Sequence, residues 1–223
     1  MFHNLRTLAN SYLTTWIHPP PSNDSPCNIL VVFGHPNCVD SFSSEISRRA
    51  VQGLLRNGNI VKIVNVSDGT SNPLLQSEEL NKRHSHLVQS EWLKSQVDLL
   101  TWCDKILWIY PTWWSSVPAG IKGWIDRVFT EGFAYASPGT VSGEIKPLLK
   151  IKKTGIITTW GGSRLAPMYT GDLGKRLLCR CIPSACYITR PTPTLYLKLH
   201  KVDESSSRRQ EFLDEVERRL SEF

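Results

Sequence analysis

No apolar run in the 223 residues approaches the roughly 18 that a membrane-spanning helix needs. The longest, around Ile29–Phe33, has the length of a buried strand. There is no CxxC pair and no secretory signal, so the six cysteines, at 27, 38, 103, 179, 181 and 186, do not read as a disulfide framework. Cys179, Cys181 and Cys186 lie close in sequence, but no fourth ligand stands at zinc spacing, and no metal is expected. A reducing compartment, the cytoplasm, is the default. Acidic residues are the minority: 26 Lys and Arg against 20 Asp and Glu leave a net charge of +6 and a pI near 9.1. Such an excess can attract nucleic acid, an anionic membrane or a phosphorylated small molecule. Here the charge is scattered, in KIKK (150–153) and in Arg pairs at 48–49, 208–209 and 218–219. No base-reading module accompanies it, so nucleic acid is not expected as a partner.

The first 27 residues stand apart. They hold no acidic residue before Asp24, and Phe2, Leu5, Leu8, Ala9, Tyr12, Leu13 and Trp16 recur at helical spacing until the prolines at 19–21 break it. An amphipathic extension docking on the domain or on a partner fits this pattern. A mitochondrial targeting segment is the alternative, against which Arg6 is the only Arg of the stretch.

From 28 onward a single domain runs to residue 223. Strand-like NILVVFG (28–34), IVKIVNVS (60–67), KILWIYP (105–111), TGIITTW (154–160) and a weaker ACYITR (185–190) alternate with helix-like stretches at 41–58, 78–102, 118–133 and 171–182. An amphipathic helix closes the chain, with Phe212, Leu213, Val216 and Leu220 on one face. Five strands alternating with helices predict an α/β fold, a doubly wound parallel sheet covered on both faces. Ligands of such sheets sit beyond the carboxyl ends of the strands. The loops after the first, third and fourth strands therefore hold the candidate chemistry.

The first loop, GHPNCVDSFSS (34–44), is not the G-x-G-x-x-G of a dinucleotide site. It puts Ser41, Ser43 and Ser44 at a helix start, where free N–H groups and the helix dipole attract phosphate, with His35 as a further donor. Plain helix capping is the competing reading. The second loop, Pro111-Thr112-Trp113-Trp114, carries two indoles that either cover the apolar face of a heterocycle or plug the end of the sheet. The third, TTWGGSR (158–164), offers hydroxyls and two glycines that let the backbone approach a ligand. It is not the G-x-S-x-G elbow of a hydrolase.

SFS (41–43), PTWWSSVPAGIKGWIDRVF (111–129), GFAYA (132–136) and KPLLKIKKTGIITTWGGS (146–163) together resemble the flavodoxin-like NAD(P)H:quinone oxidoreductases, over roughly 28–169. The resemblance implies a bound flavin, FAD or FMN, NADH or NADPH as electron donor, a quinone-like acceptor and a homodimer. It implies that His35, Ser41, Phe42 and Ser43 face the flavin phosphate. Pro111, Thr112, Trp113 and Trp114 would border the rings, and Thr158, Thr159, Gly161 and Gly162 would meet their polar edge. Many relatives run from the glycines into Ser-Met-Tyr, with a proton-handling histidine a few residues later. Here RLAP (164–167) separates Ser163 from Met168-Tyr169, and the next histidine is His200. Tyr169 is left as the candidate catalytic proton partner, and Arg164 as a candidate cation. The expected activity is hydride transfer by a ping-pong cycle in one pocket; the alternative is a regulatory flavin-binding protein docked on a partner.

Overall fold

The structure, a computed structural model, describes residues 26–69, 72–82, 90–137, 144–163, 165–190 and 192–223. The amphipathic segment expected before the prolines and the candidate cation Arg164 lie outside the described residues.

Five parallel strands form the sheet: β1 (Asn28–Phe33), β2 (Ile60–Asn65), β3 (Lys105–Pro111), β6 (Lys153–Trp160) and β7 (Thr194–His200), in the order β2-β1-β3-β6-β7. Between β3 and β6, two short strands, β4 (Tyr135–Ala136) and β5 (Lys146–Pro147), pair as an antiparallel ribbon. Alternate residues of the strands supply two cores. Ile29, Val31, Phe33, Leu107, Ile109 and Ile157 face α1 (Phe42–Arg56) and the closing helix α8 (Ser206–Leu220). Leu30, Val32, Ile106, Trp108, Tyr110 and Ile156 face α3 (Glu91–Trp102), α4 (Ala119–Val128) and the helical run that begins with α6 (Leu173–Arg176). With both faces covered, the strands can be apolar almost throughout, which is why they were visible as unbroken hydrophobic runs.

Three expectations are corrected. Residues 185–190 are not the fifth strand. Helix α7 (Ile182–Cys186) occupies their start, and only Tyr187 makes a bridge, to Leu149. The fifth strand is TLYLKLH, an edge strand whose period-2 alternation buries Leu195 and Leu199 on one face. The helix expected over 118–133 stops at Val128. Beyond it Gly132 takes φ 81°, and the backbone of 132–136 turns into the β4–β5 ribbon, which satisfies its hydrogen bonds another way. The stretch 78–102 holds two helices, α2 (Ser77–Lys82) and α3, and the residues between them are outside the described set. A last helix, α5 (Ala166–Thr170), follows the third loop, and the run after it passes from α6 through a π-helical turn at Leu177–Cys181 into α7.

Candidate functional site

Three loops leave the carboxyl ends of β1, β3 and β6. Asn37 organises the first. Its side chain accepts from the N–H groups of Val39 (3.2 Å) and Asp40 (2.9 Å) and donates to the Asp40 carbonyl (2.8 Å). The His35 ring lies with Nδ1 beside the Asn37 backbone, 3.0 Å from its nitrogen and 2.8 Å from its carbonyl oxygen; in the tautomer with Nδ1 accepting from Asn37 N–H, Nε2 carries the proton and is left as a donor for a ligand. Ser41 and Ser44 form a reciprocal capping box at the start of α1. The Ser41 hydroxyl accepts from Ser44 N–H and donates to the Asn37 carbonyl, so its hydroxyl is already engaged as a cap. The first-turn N–H groups of Phe42 and Ser43 have no intrahelical acceptor and point out of the helix start. Ser43 itself is buried, and Asp40 is exposed.

The second loop turns back within four residues. Trp113 and Ser116 exchange backbone hydrogen bonds of 3.1 and 3.0 Å across Trp114 and Ser115, and both central residues have positive φ, 50° and 61°. That is the pattern of a type I′ turn, which normally demands Asn or Gly. An L-residue in this region costs about 1–2 kcal/mol. Strain of this kind persists only where the surroundings over-determine it, and it concentrates at functional positions. The turn does not plug the sheet: Trp113 is 44% exposed and Trp114 99% exposed.

The loops meet. The rings of His35 and Trp113 lie with centroids 6.2 Å apart, joining the first loop to the second. Thr112 N–H donates to the Thr159 carbonyl (2.8 Å), and the hydroxyls of Thr112 and Thr158 share a bond of 2.8 Å, joining the second to the third. These contacts follow from the register of β3 on β6, which sets Tyr110 beside Thr158 and Pro111 beside Thr159. Thr158 and Thr159 are buried, and the Thr158 hydroxyl and the Thr159 carbonyl are engaged with Thr112. A Cβ added at Gly161 would meet nothing within 4 Å, so the third loop borders open space. The rim gathers N–H donors at a helix start, exposed indoles, and glycine backbone that can be approached closely.

Below this rim lies a cluster absent from the sequence reading. Asp172, the N-cap of α6, accepts from Lys175 N–H (3.1 Å), from the Tyr196 hydroxyl and from Lys198 Nζ (2.8 Å). Lys198 has only 8% of its side chain exposed, and its ammonium also sits 3.6 Å from the centre of the Trp160 ring. Burial works against the Asp172 charge, but the bonds from Lys198, Tyr196 and Lys175 outweigh it and hold the carboxyl below the ordinary aspartate value. Burial pulls Lys198 below the usual lysine value against the opposing pull of Asp172. Burial and the adjacent carboxylate push the Tyr196 phenol well up, so it stays a neutral donor. Two signals pointed here: an Asp directly before a helical run, and the alternation of TLYLKLH, which puts Tyr196, Lys198 and His200 on one face. His200 stacks on Trp160, ring centroids 5.8 Å apart. Tyr169 and Met168 stand on α5 with 90% and 79% of their surface exposed.

An open, doubly wound parallel sheet with its loops gathered at the carboxyl edge defines the flavodoxin-like class. The chain belongs to the family described as the flavodoxin-like fold, whose model matches residues 27–220. The protein Smu.1420 of Streptococcus mutans UA159 is similar in structure, with a TM-score of 0.76 and 31% identity over 88% of this chain and 100% of that one. A Haemophilus influenzae protein named as an uncharacterized NAD(P)H oxidoreductase is 35% identical over 136 residues, 61% of this chain and 65% of its own length. The Mus musculus ribosyldihydronicotinamide dehydrogenase (quinone) is 28% identical over 162 residues, 65% of this chain and 67% of that protein. The chain therefore spans just under two thirds of the length of the Haemophilus relative.

Proposed function

We propose that this protein is a flavin-dependent oxidoreductase that reduces quinone-like acceptors by two electrons with NADH or NADPH. The observation that carries the reading is the meeting of three loops at one rim, fastened by Thr112 to Thr158 and Thr159 and by the contact of His35 with Trp113. The names of the Haemophilus and mouse relatives agree with it.

FMN or FAD fits the donor set. The N–H groups of Phe42 and Ser43, in the field of the α1 dipole, and the Nε2 edge of His35 would hold its phosphate. Ser41 contributes by fixing those N–H groups through its cap. Pro111, Thr112, Trp113 and Trp114 would border its rings, and the backbone of Thr158, Thr159, Gly161 and Gly162 would face its polar edge. The chemistry supplied by the flavin when bound is hydride transfer, first from the nicotinamide and then to the acceptor, in ping-pong order. Packed against the bound rings, the indoles would exclude water from the site, and loop N–H groups would stabilise developing negative charge there. Tyr169, exposed on α5 just after the third loop, would be the proton partner for the acceptor.

A homodimer completes this reading. Trp114, Leu165, Met168, Tyr169 and Leu173 are large apolar residues exposed on neighbouring segments, with Ser115 bonded to both Thr170 and Leu173. Isolated monomers rarely leave such a patch uncovered. Met168→Asp is expected to shift the protein to a monomer in light scattering.

The purified protein is expected to be yellow, or to become so with FMN or FAD, and mass analysis of the released chromophore identifies which. Steady-state oxidation of NADH or NADPH with a quinone then separates an enzyme from a regulatory flavin carrier. A protein that stays colourless after incubation with either flavin ends the proposal.

A further inference from the structure

The Trp113–Ser116 turn is costly by itself, since two L-residues in succession sit at positive φ. Within the chain something must hold it, and Trp114 does not, because its side chain is exposed there. Beyond the paired Trp113–Ser116 bonds and the ring contact of Trp113 with His35, the turn's contacts run to one short segment: the Ser115 carbonyl accepts from Leu173 N–H (3.1 Å), and the Ser115 hydroxyl donates to Thr170 Oγ1 (2.9 Å). Residues 171 and 172 form the break between α5 and α6, with Gly171 at φ 74°. A segment that is not part of a regular element is only as firm as its own ties. The tie is Asp172, which binds the Tyr196 hydroxyl and Lys198 Nζ on the sheet while capping α6. Lys198 in turn lies on the Trp160 ring, the residue before Gly161. Strand β7 thus grips the support of the second loop and the entrance of the third through one side chain.

We infer that Asp172, through Tyr196 and Lys198, is a positioning residue that holds the Trp113–Ser116 turn in its left-handed form. Its value for cofactor binding rests on the reading of that turn as the border of a flavin. The clamp itself does not, because it is a property of the protein alone.

The test uses the full chain without added flavin. In Asp172→Asn the cap of α6 survives, since Asn caps as well as Asp, while the ionic tie is lost. Amide exchange is expected to speed up about tenfold at Ser116 and Leu173, with the β1 and β3 amides unchanged, as for a local opening. Unchanged protection at Ser116 and Leu173 overturns the inference, as does an equal loss across β1 and β3, which would make Asp172 a general stabiliser. If Asp172→Asn does not fold, Tyr196→Phe removes one of the two ties and should loosen the same two amides by a smaller factor; no change there overturns it equally.

Rescue adds a second readout. Glycine adopts φ near 60° freely, so Ser115→Gly relieves one of the two strained positions and the turn needs the clamp less. Asp172→Asn is expected to weaken FMN binding about tenfold in the natural chain and less than about threefold beside Ser115→Gly, a non-additive pair. The same loss in both backgrounds overturns the inference. Failure of the unaltered chain to bind FMN or FAD removes the functional reading and leaves the exchange result to decide the clamp.

Discussion

At the scale of single residues, Trp114 combines a strained backbone with a side chain that touches almost nothing, 99% exposed. Stability gives no reason for an indole there, because water contact forfeits the burial that makes tryptophan useful. In the monomeric Met168→Asp background, Trp114→Gly is therefore expected to raise stability by about 1 kcal/mol through relief of the left-handed conformation. Chemical denaturation measures this, and a loss of stability would mean the indole packs in solution. The double change Trp113→Ala with Trp114→Ala is expected to weaken flavin binding at least about tenfold while stability moves by less than about 1 kcal/mol. A fluorescence titration with FMN and FAD reads the affinity, and unchanged affinity would remove the rings from the site. Ser41 shows a different division of labour. The sequence placed it at a helix start without saying whether it caps or binds, and the capping box with Ser44 occupies its hydroxyl.

At the scale of elements, α1 and α8 pack so closely that a Cβ on Gly53 would lie 2.4 Å from the Glu217 carbonyl and 3.0 Å from Leu220 Cβ. Backbone cannot yield as a flexible side chain can. Gly53→Ala is expected to destabilise by about 1–3 kcal/mol despite the gain of helix propensity, because overpacking outweighs it. A urea melt decides, and a more stable variant would show that the helices separate at little cost. The same pair is tied at its surface by Arg49 and Arg56, both of which donate to the Glu217 carboxylate. Element boundaries were legible where local signals are strong: β3 runs over the expected 105–111, and α1 lies between its Ser41 cap and Gly58 at φ 74°. They failed where a distant partner competed. Phe133 and Ala134 continue the helical pattern of α4, yet their N–H groups turn back on the Thr130 carbonyl and the Ala134 carbonyl accepts from Leu148, leading into the β4–β5 ribbon. TLYLKLH and ACYITR are both short and β-prone, so local propensity does not choose between them.

At the scale of the whole molecule, two carboxylates couple stability to pH. Burial opposes the charge of Asp104, but Asn28 N–H (3.0 Å) and Lys152 Nζ (2.9 Å) prevail and hold its pKa below the ordinary value. Asp172 is depressed in the same direction. A carboxyl depressed in the folded state adds stability that is complete above its unfolded pKa, about 3.9, and is lost as pH falls through the folded value. Thermal melts are expected to be flat from these two groups above about pH 5 and to drop below about pH 4. Asp172→Asn should shrink that drop, and an acid limb of unchanged depth would show that Asp172 does not contribute to it.

The sequence by itself determined the alternation of strand and helix, the unbroken apolar runs that require a sheet covered on both faces, the start of α1, and the three loops that carry unusual residues. These are local matters, written in periodicity and in preferences that act within a turn or a strand. Only the tertiary structure decided that Thr112 meets Thr158, that His35 meets Trp113, and that Asp172 reaches Tyr196 and Lys198. Those contacts depend on the order β2-β1-β3-β6-β7, which brings strand ends together that are far apart along the chain. No local preference encodes that adjacency, because it arises from the packing of all the strands at once.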